Sequence, residues 1–155
     1  MSKKHHYQTT ITWTGNMGSG TSHYAKYERS HTISVDNKST IEASSDPLFR
    51  GDSTKYNPEE LFLASISSCH MLWYLHLCAA NNIIVLSYTD KATGTMIENA
   101  DGSGRFIEVT LFPNIKISDE SMISKATTLH EDANKYCFIA NSLNFPVRHQ
   151  PTVTL

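Results

Sequence analysis

The feature that most constrains this chain is the segment opened by Asn57-Pro58-Glu59-Glu60. Asn57 is a good N-cap and Pro58 suits the first helical position. Glu60, three residues after the cap, can close a capping box. Both acids also suit the positive end of a helix dipole. The run from Leu61-Phe62-Leu63 through Met71-Leu72-Trp73-Tyr74-Leu75 to Ala80 continues the pattern until Asn81-Asn82 can end it. The result is a helix of about 23 residues, apolar almost all round and therefore expected to be buried on most faces. Glu60, Ser65, Ser67, Ser68, His70 and His76 interrupt its apolar continuity, which argues against a membrane span.

The flanking sequence is β-rich. Period-two runs at Thr9-Ile11-Trp13, Tyr24-Lys26-Tyr27, Thr32-Ile33-Val35 and Thr40-Ile41-Ala43 are separated by Gly15, Gly18, Gly20 and Asp36-Asn37. They predict antiparallel strands and turns. Ser45 to Tyr56, with Asp46-Pro47 and Gly51-Asp52, breaks both periodicities and reads as a loop. Ile83–Glu98 and Phe106–Phe112 return to β alternation, joined at Asp101-Gly102 and Gly104 by a hairpin-like loop. Ser118-Asp119-Glu120 opens a second helix with Ile123, Ala126, Leu129, His130 and Ala133 on one face. Cys137-Phe138-Ile139-Ala140-Asn141 either continues that helix or begins a short new one. Pro146-Val147 and Thr152-Val153-Thr154 predict a last strand. The β-helix-β then β-helix-β order suggests two loosely similar halves.

At 155 residues the chain is expected to form one domain, spanning 1–155. A net charge of -2 offers no broad attraction for nucleic acid or anionic membranes, so neither is an expected partner. The N-terminus has no apolar signal core, and a cytoplasmic protein is expected. Three cysteines without such a signal do not suggest a stapling framework, so chemistry or burial must explain them. No metal cluster at structural-site spacing is evident, and no bound metal is expected.

A disulfide needs Cα atoms within about 7 Å. Cys69 and Cys78 on one helix would be about 13.5 Å apart along the axis and on opposite faces. Cys69 with Cys137 meets no such objection. Cys78, between Leu77 and Ala79, reads as a buried small hydrophobe. Cys69 differs because Ser65, Ser67, Ser68 and His70 make its surroundings polar. Ser67 and Ser68 could bond back to helix carbonyls, and His70, about 100° away from Cys69, could be a satisfied core or surface histidine. A nucleophilic cysteine needs a nearby cation to hold its thiolate. Arg50 and Arg29 are the best suppliers, although each could equally be a solvated charge. Glu59 could serve the helix terminus alone.

Asn57-Pro58-Glu59-Glu60-Leu61, the Ser67-Ser68-Cys69-His70 segment and the late Cys137-Phe138-Ile139-Ala140-Asn141-Ser142 run resemble the osmotically inducible and organic hydroperoxide resistance family (OsmC/Ohr). The resemblance covers essentially the whole chain. It is nearest to an OsmC-like branch carrying a Phe-Arg-Gly-Asp loop, here Phe49-Arg50-Gly51-Asp52. It implies an α+β fold, with antiparallel sheets around a long buried central helix and an intertwined homodimer. It also implies thiol-dependent reduction of organic hydroperoxides, and of hydrogen peroxide, in oxidative stress defence. Cys69 would become a sulfenic acid that Cys137 resolves. No bound cofactor is implied; a dithiol such as dihydrolipoamide or a lipoylated protein would restore the thiols. Glu59 matches the family's Glu, and Arg50, with Arg29 as the alternative, its Arg.

Helix geometry bears on the assembly independently. On one straight helix Glu59 and Cys69 are about 15 Å apart, too far for Glu59 to order a partner of its own Cys69. Two such helices packed antiparallel about a two-fold axis would bring one subunit's Glu59 near the other's Cys69. Two other readings stand beside the peroxidase. One is a binding protein of this fold that uses the thiols as a redox sensor; the other is a zinc site built from Cys69, Cys137 and His70 or His130.

Overall fold

A computed structural model describes residues 3–155. The chain divides into two compact units, one ending at Leu61 and the other Phe62–Leu155.

In the first unit, β1 (Thr10–Trp13), β2 (His31–Ser34) and β3 (Ile41–Ala43) form an antiparallel sheet in that order. Ile11 faces Ile33, and Ile33 faces Ile41 across the next ladder. Asn37, at φ 62°, takes the left-handed position in the β2–β3 connection, a conformation that Asn tolerates better than most residues. The Tyr24-Lys26-Tyr27 run expected as a strand is instead part of a series of turns. Polar anchoring outcompetes its alternation: Asn16 Oδ1 accepts from Gly18 N at 2.9 Å and Gly20 N at 3.0 Å. Arg29 further on gathers the carbonyls of Tyr24 and Tyr27.

The expected loop contains one short 3-10 turn, Pro47–Phe49, capped by Asp46, whose Oδ1 accepts from Leu48 N at 2.7 Å. Arg50 ends the turn in the left-handed region, at φ 65°. Gly51 N then donates to the Asp46 carbonyl at 3.1 Å. A Cβ at Gly51 would stand 1.6 Å from the Ser45 carbonyl oxygen, so only glycine fits there. The helix start is as expected. Glu60 N donates to Asn57 Oδ1 at 2.8 Å, and Asn57 N donates to Glu60 Oε2 at 3.2 Å, which completes the capping box.

That helix, α1, runs unbroken over Pro58–Ala80. Asn82 ends it at φ 57°, with Ile83 N donating to the Cys78 carbonyl at 2.9 Å. In the second unit, β4 (Val85–Asp90), β7 (Pro113–Ile117) and β9 (Thr152–Thr154) form one sheet; β5 (Thr93–Glu98), β6 (Gly104–Leu111) and β8 (Val147–His149) form another. The β4–β7 and β5–β6 pairs are antiparallel, but β6–β8 and β7–β9 are parallel, so these sheets are mixed. The expected single last strand is thus two short ones, with Gln150-Pro151 carrying the chain from one sheet to the other.

The second helix, α2, spans Ile123–Tyr136 after a 3-10 turn at Glu120–Met122 capped by Asp119. Its predicted apolar face is the buried one: Ala126, Leu129, His130 and Ala133. On α1 the buried positions Ile66, His70, Tyr74 and Cys78 recur every fourth residue, giving one stripe. Tyr74 and Cys78 join Ile83, Ile115, Ile117, Ala126, Leu129 and Ala133 in one core cluster, while Ile66, Val109 and Leu111 centre a second. The helix expected to be buried on most faces is buried on this stripe within one chain; Leu72, for example, is 63% exposed. By length and mean hydropathy, 1.3, α1 would suit a membrane span, the only such helix among the described residues. Its stripe, however, carries a buried hydrogen-bonded histidine, described below.

Candidate functional site

Cys69 lies half-buried on α1, off the stripe that faces the core. Cys137 caps the C-terminus of α2. Its N–H donates to the Ala133 carbonyl at 3.0 Å and its backbone is extended, so the chain leaves the helix at this residue. A short 3-10 turn, Ala140–Ser142, follows, which settles the open choice in favour of a new turn. Ala140 N donates to Cys137 Sγ at 3.4 Å. The Cys137 thiol is buried and meets Cys69. Burial, and then a hydrogen bond to Cys69, push it up to about 11. Two cysteines 68 positions apart are therefore brought together with unequal character: one accessible, the other enclosed and held as a thiol. Cys78 is buried in the core beside Tyr74, and burial raises its pKa.

The serines around Cys69 have separate explanations. Ser65 Oγ donates to the Phe62 carbonyl at 2.6 Å and Ser68 Oγ to that of Ser65 at 3.2 Å, as helix serines can. Ser67 instead donates to Asp90 Oδ2 at 2.5 Å, and Asp90 Oδ1 accepts from Phe112 N at 2.7 Å. Asp90 thus ties α1 to the strands, a contact that nothing in the Ser67 neighbourhood signalled.

Leu72, Trp73 and His76 follow Cys69 at intervals of three, four and seven, so all four share one helix face. Leu72, Trp73 and His76 line an apolar recess of about 250 Å³. Trp73 is held by Tyr136 and Phe138, at ring-centroid distances of 5.3 and 5.7 Å. These are the two residues flanking Cys137, so the aromatic wall belongs to the same corner as the thiols. Tyr136 and Phe138 needed the fold to be found.

His70 and His130 lie on the other side of α1, in the core. His70 Nε2 and His130 Nδ1 are 2.9 Å apart, with ring planes 10° from parallel. His149 approaches both, at ring-centroid distances of 5.6 and 6.1 Å, and Tyr74 stacks on His130 at 3.9 Å. Burial depresses His70 to about 4 and His130 to about 3; charge repulsion within the trio contributes further. The two facing nitrogens address each other, so the zinc arrangement of Cys69, Cys137 and either histidine is not assembled. Among the described residues no group of three or more His, Cys, Asp or Glu side chains is placed to hold a metal ion.

The predicted arginines are neighbours within the first unit. Both line a cleft of about 620 Å³ with Lys26, Tyr27 and Glu28. Arg29 is clamped: Nη1 donates to the Tyr27 carbonyl at 2.6 Å and Nη2 to that of Tyr24 at 2.9 Å, with both tyrosine rings 4.2 Å from its Cζ. Arg50 is exposed on its rigid turn and, among the described residues, makes no side-chain hydrogen bond or ion pair. Glu59 is half-buried; its Oε2 is shielded from solvent and lacks a hydrogen-bond partner. Among the described residues, no ion pair joins Glu59 to an arginine within one chain.

An α+β chain with a long apolar helix and an asymmetric thiol pair between that helix and the next defines the class: a dithiol protein of the OsmC type. Residues 51–152 match the family described as OsmC-like protein, and the chain belongs to that family. A solved structure of an OsmC-like protein of unknown function from Vibrio cholerae is 31% identical, with TM-score 0.86 over 96% of this chain and 100% of that one. The OsmC-like protein from Mycoplasma pneumoniae is 20% identical, with TM-score 0.72 over the full length of both chains. An organic hydroperoxide resistance protein from Elizabethkingia anophelis is 23% identical, with TM-score 0.67 over 98% and 99% of the two chains. At these lower identities the likeness is one of fold. No curated protein matches the sequence.

Proposed function

We propose that this protein is a thiol-dependent peroxidase that reduces organic hydroperoxides in oxidative stress defence. The observation that carries the proposal is the pairing of an accessible Cys69 with a buried, protonated Cys137 at an aromatic-walled corner. The Cys69 thiolate attacks the terminal oxygen of the hydroperoxide and the O–O bond breaks. The alcohol leaves with a proton, and Cys69 becomes a sulfenic acid. Cys137 then condenses with it: the S–S bond forms and water departs. A dithiol such as dihydrolipoamide, or a lipoylated protein, reduces the disulfide by exchange and is itself oxidised. The recess of Leu72, Trp73 and His76, on the helix face that Cys69 shares, favours an apolar peroxide substituent over hydrogen peroxide.

Arg50 is the cation we assign to the thiolate, because Arg29 already spends two donors on carbonyls. Glu59 orients that arginine in a homodimer, with one subunit's Glu59 serving the other's Cys69. Two observations support the dimer: the ten-residue separation along α1 and the unpartnered buried Glu59 oxygen. Family relatives described as organic hydroperoxide resistance proteins agree with this chemistry.

The competing reading is a redox sensor, which the same thiol pair would also serve. Turnover separates the two. Purified protein supplied with cumene hydroperoxide and dihydrolipoamide should consume many equivalents, and Cys69→Ser should consume none. Oxidation that stops after one equivalent despite excess dithiol would favour the sensor, and turnover by Cys69→Ser would defeat the mechanism.

A further inference from the structure

The core histidine pair takes no part in the thiol chemistry, yet it joins the two helices that carry the thiols. His70 follows Cys69 directly on α1. His130 stands two turns before Cys137, about 10.5 Å along α2 and within about 20° of the same side. The 2.9 Å bond between His70 Nε2 and His130 Nδ1 is each ring's only hydrogen bond among the described residues, because His70 Nδ1 and His130 Nε2 are buried and unpartnered.

The bond fixes direction as well as distance. Two α1 residues one turn apart grip the His130 ring: His70 by its nitrogen, with ring planes 10° from parallel, and Tyr74 by stacking at 3.9 Å. His149 of β8 approaches both histidines from the sheet side, at 5.6 and 6.1 Å. The α1 residues that meet α2 form two neighbouring columns. His70 and Tyr74 meet His130 at the middle of α2, whereas Cys69 and Trp73 meet Cys137 and Tyr136 at its end. The second helix therefore crosses α1 rather than running along it, and the thiol contact lies at the end of a lever about 10.5 Å long. A swing of about 10° would carry that end about 2 Å, more than the spread of about 1 Å in Cβ separation that a disulfide tolerates.

We infer that His70 and His130 are positioning residues for the thiol pair: their buried bond holds α2 across α1 at the angle that keeps Cys137 within bonding reach of Cys69. The inference rests on the thiol–disulfide half of the peroxidase reading and requires no peroxide. Neither histidine touches the reacting sulfur atoms; both act through the helices.

Equilibrating the full-length protein with oxidised and reduced dithiothreitol tests this, the reagent taking up or returning the two thiol hydrogens. Alkylation and peptide mass spectrometry then read the Cys69–Cys137 disulfide apart from Cys78. His130→Phe keeps a ring against Tyr74 but cannot form the bond; its disulfide equilibrium constant should fall about tenfold, a rise of about 30 mV in potential. His130→Asn sets an amide oxygen near the place of Nδ1 and should stay within about twofold of the unmodified protein. A uniform loss of stability would affect both redox forms alike and leave the potential in place. By reciprocity, oxidation of the unmodified protein should slow solvent exchange of the shared ring proton about tenfold beyond any slowing of the Val109 and Leu111 amides, which requires no variant to fold. An unchanged potential in His130→Phe, equal shifts in His130→Phe and His130→Asn, or equal ring-proton exchange in the two redox forms would overturn the inference. A His130-dependent potential without peroxide turnover would uphold it and overturn the peroxidase reading; failure of the unmodified protein to form the Cys69–Cys137 disulfide would overturn both.

Discussion

Mild acid should destabilise this protein through two histidines, by an amount that can be worked out. His70 and His130 share a buried hydrogen bond that needs one proton between two facing nitrogens. Tyr74, whose phenol is held neutral by burial, and His149 are the titratable groups that face them. Folding depresses the two histidines from 6.5 to about 4 and about 3. Below pH 6.5 the unfolded chain therefore binds protons that the folded chain refuses, and stability rises with pH across that window. The contribution is complete above about pH 6.5 and is lost as the pH falls toward the folded values. At pH 5 both imidazoles are still neutral in the folded protein, and each refused proton costs about 2 kcal/mol relative to pH 7. Together the pair should remove about 4 kcal/mol, a large share of a typical domain's stability. Urea unfolding followed by tryptophan fluorescence at pH 7, 6 and 5, at one protein concentration, measures the loss. The double variant His70→Gln, His130→Gln should show a much flatter profile. Stability at pH 5 within about 1 kcal/mol of that at pH 7, or NMR titration of all eight imidazoles near 6.5, would refute the reasoning.

Three further outcomes are expected. Gly51→Ala drives a Cβ into the Ser45 carbonyl and should cost more than about 2 kcal/mol in chemical denaturation; unchanged stability would show that the Arg50 turn is not fixed. Ser67→Ala removes the tie to Asp90 and should cost about 1–3 kcal/mol by the same assay, because it leaves a charged acceptor with one partner fewer. Trp73→Ala strips the wall beside the thiols and should lower kcat/KM for cumene hydroperoxide about tenfold while changing that for hydrogen peroxide much less; equal losses for the two peroxides would remove the recess from substrate binding.

The parts of this fold visible in the sequence are those set by local rules. Asn57 and Glu60 announce the start of α1 because the capping box is built within four residues. Helical periodicity alone separates Cys69 from Cys78 and picks the buried face of α2. Non-local pairings are less legible. The parallel pairing of β6 with β8 and of β7 with β9 joins strands far apart in the chain, and short strands of three residues leave little periodic signal. The same holds for His149, which reaches the histidine pair only because β8 carries it there. Tyr24-Lys26-Tyr27 alternates like a strand, yet Arg29 and Asn16 side chains bind the nearby backbone and fold it into turns. Of the candidate site residues, Cys69 meets Cys137 and Arg29 shares a cleft with Arg50, whereas Glu59 finds no ion-pair partner within one chain.

The central claim is that Cys69 receives the peroxide oxygen and Cys137 resolves it. Mass spectrometry after one equivalent of cumene hydroperoxide tests it most directly. The unmodified protein should lose two hydrogens and yield a peptide joining Cys69 to Cys137, while Cys137→Ser should stop with one added oxygen on Cys69 that dimedone traps. A Cys69 thiol that survives this treatment unmodified, or an oxygen found first on Cys137, would contradict the account.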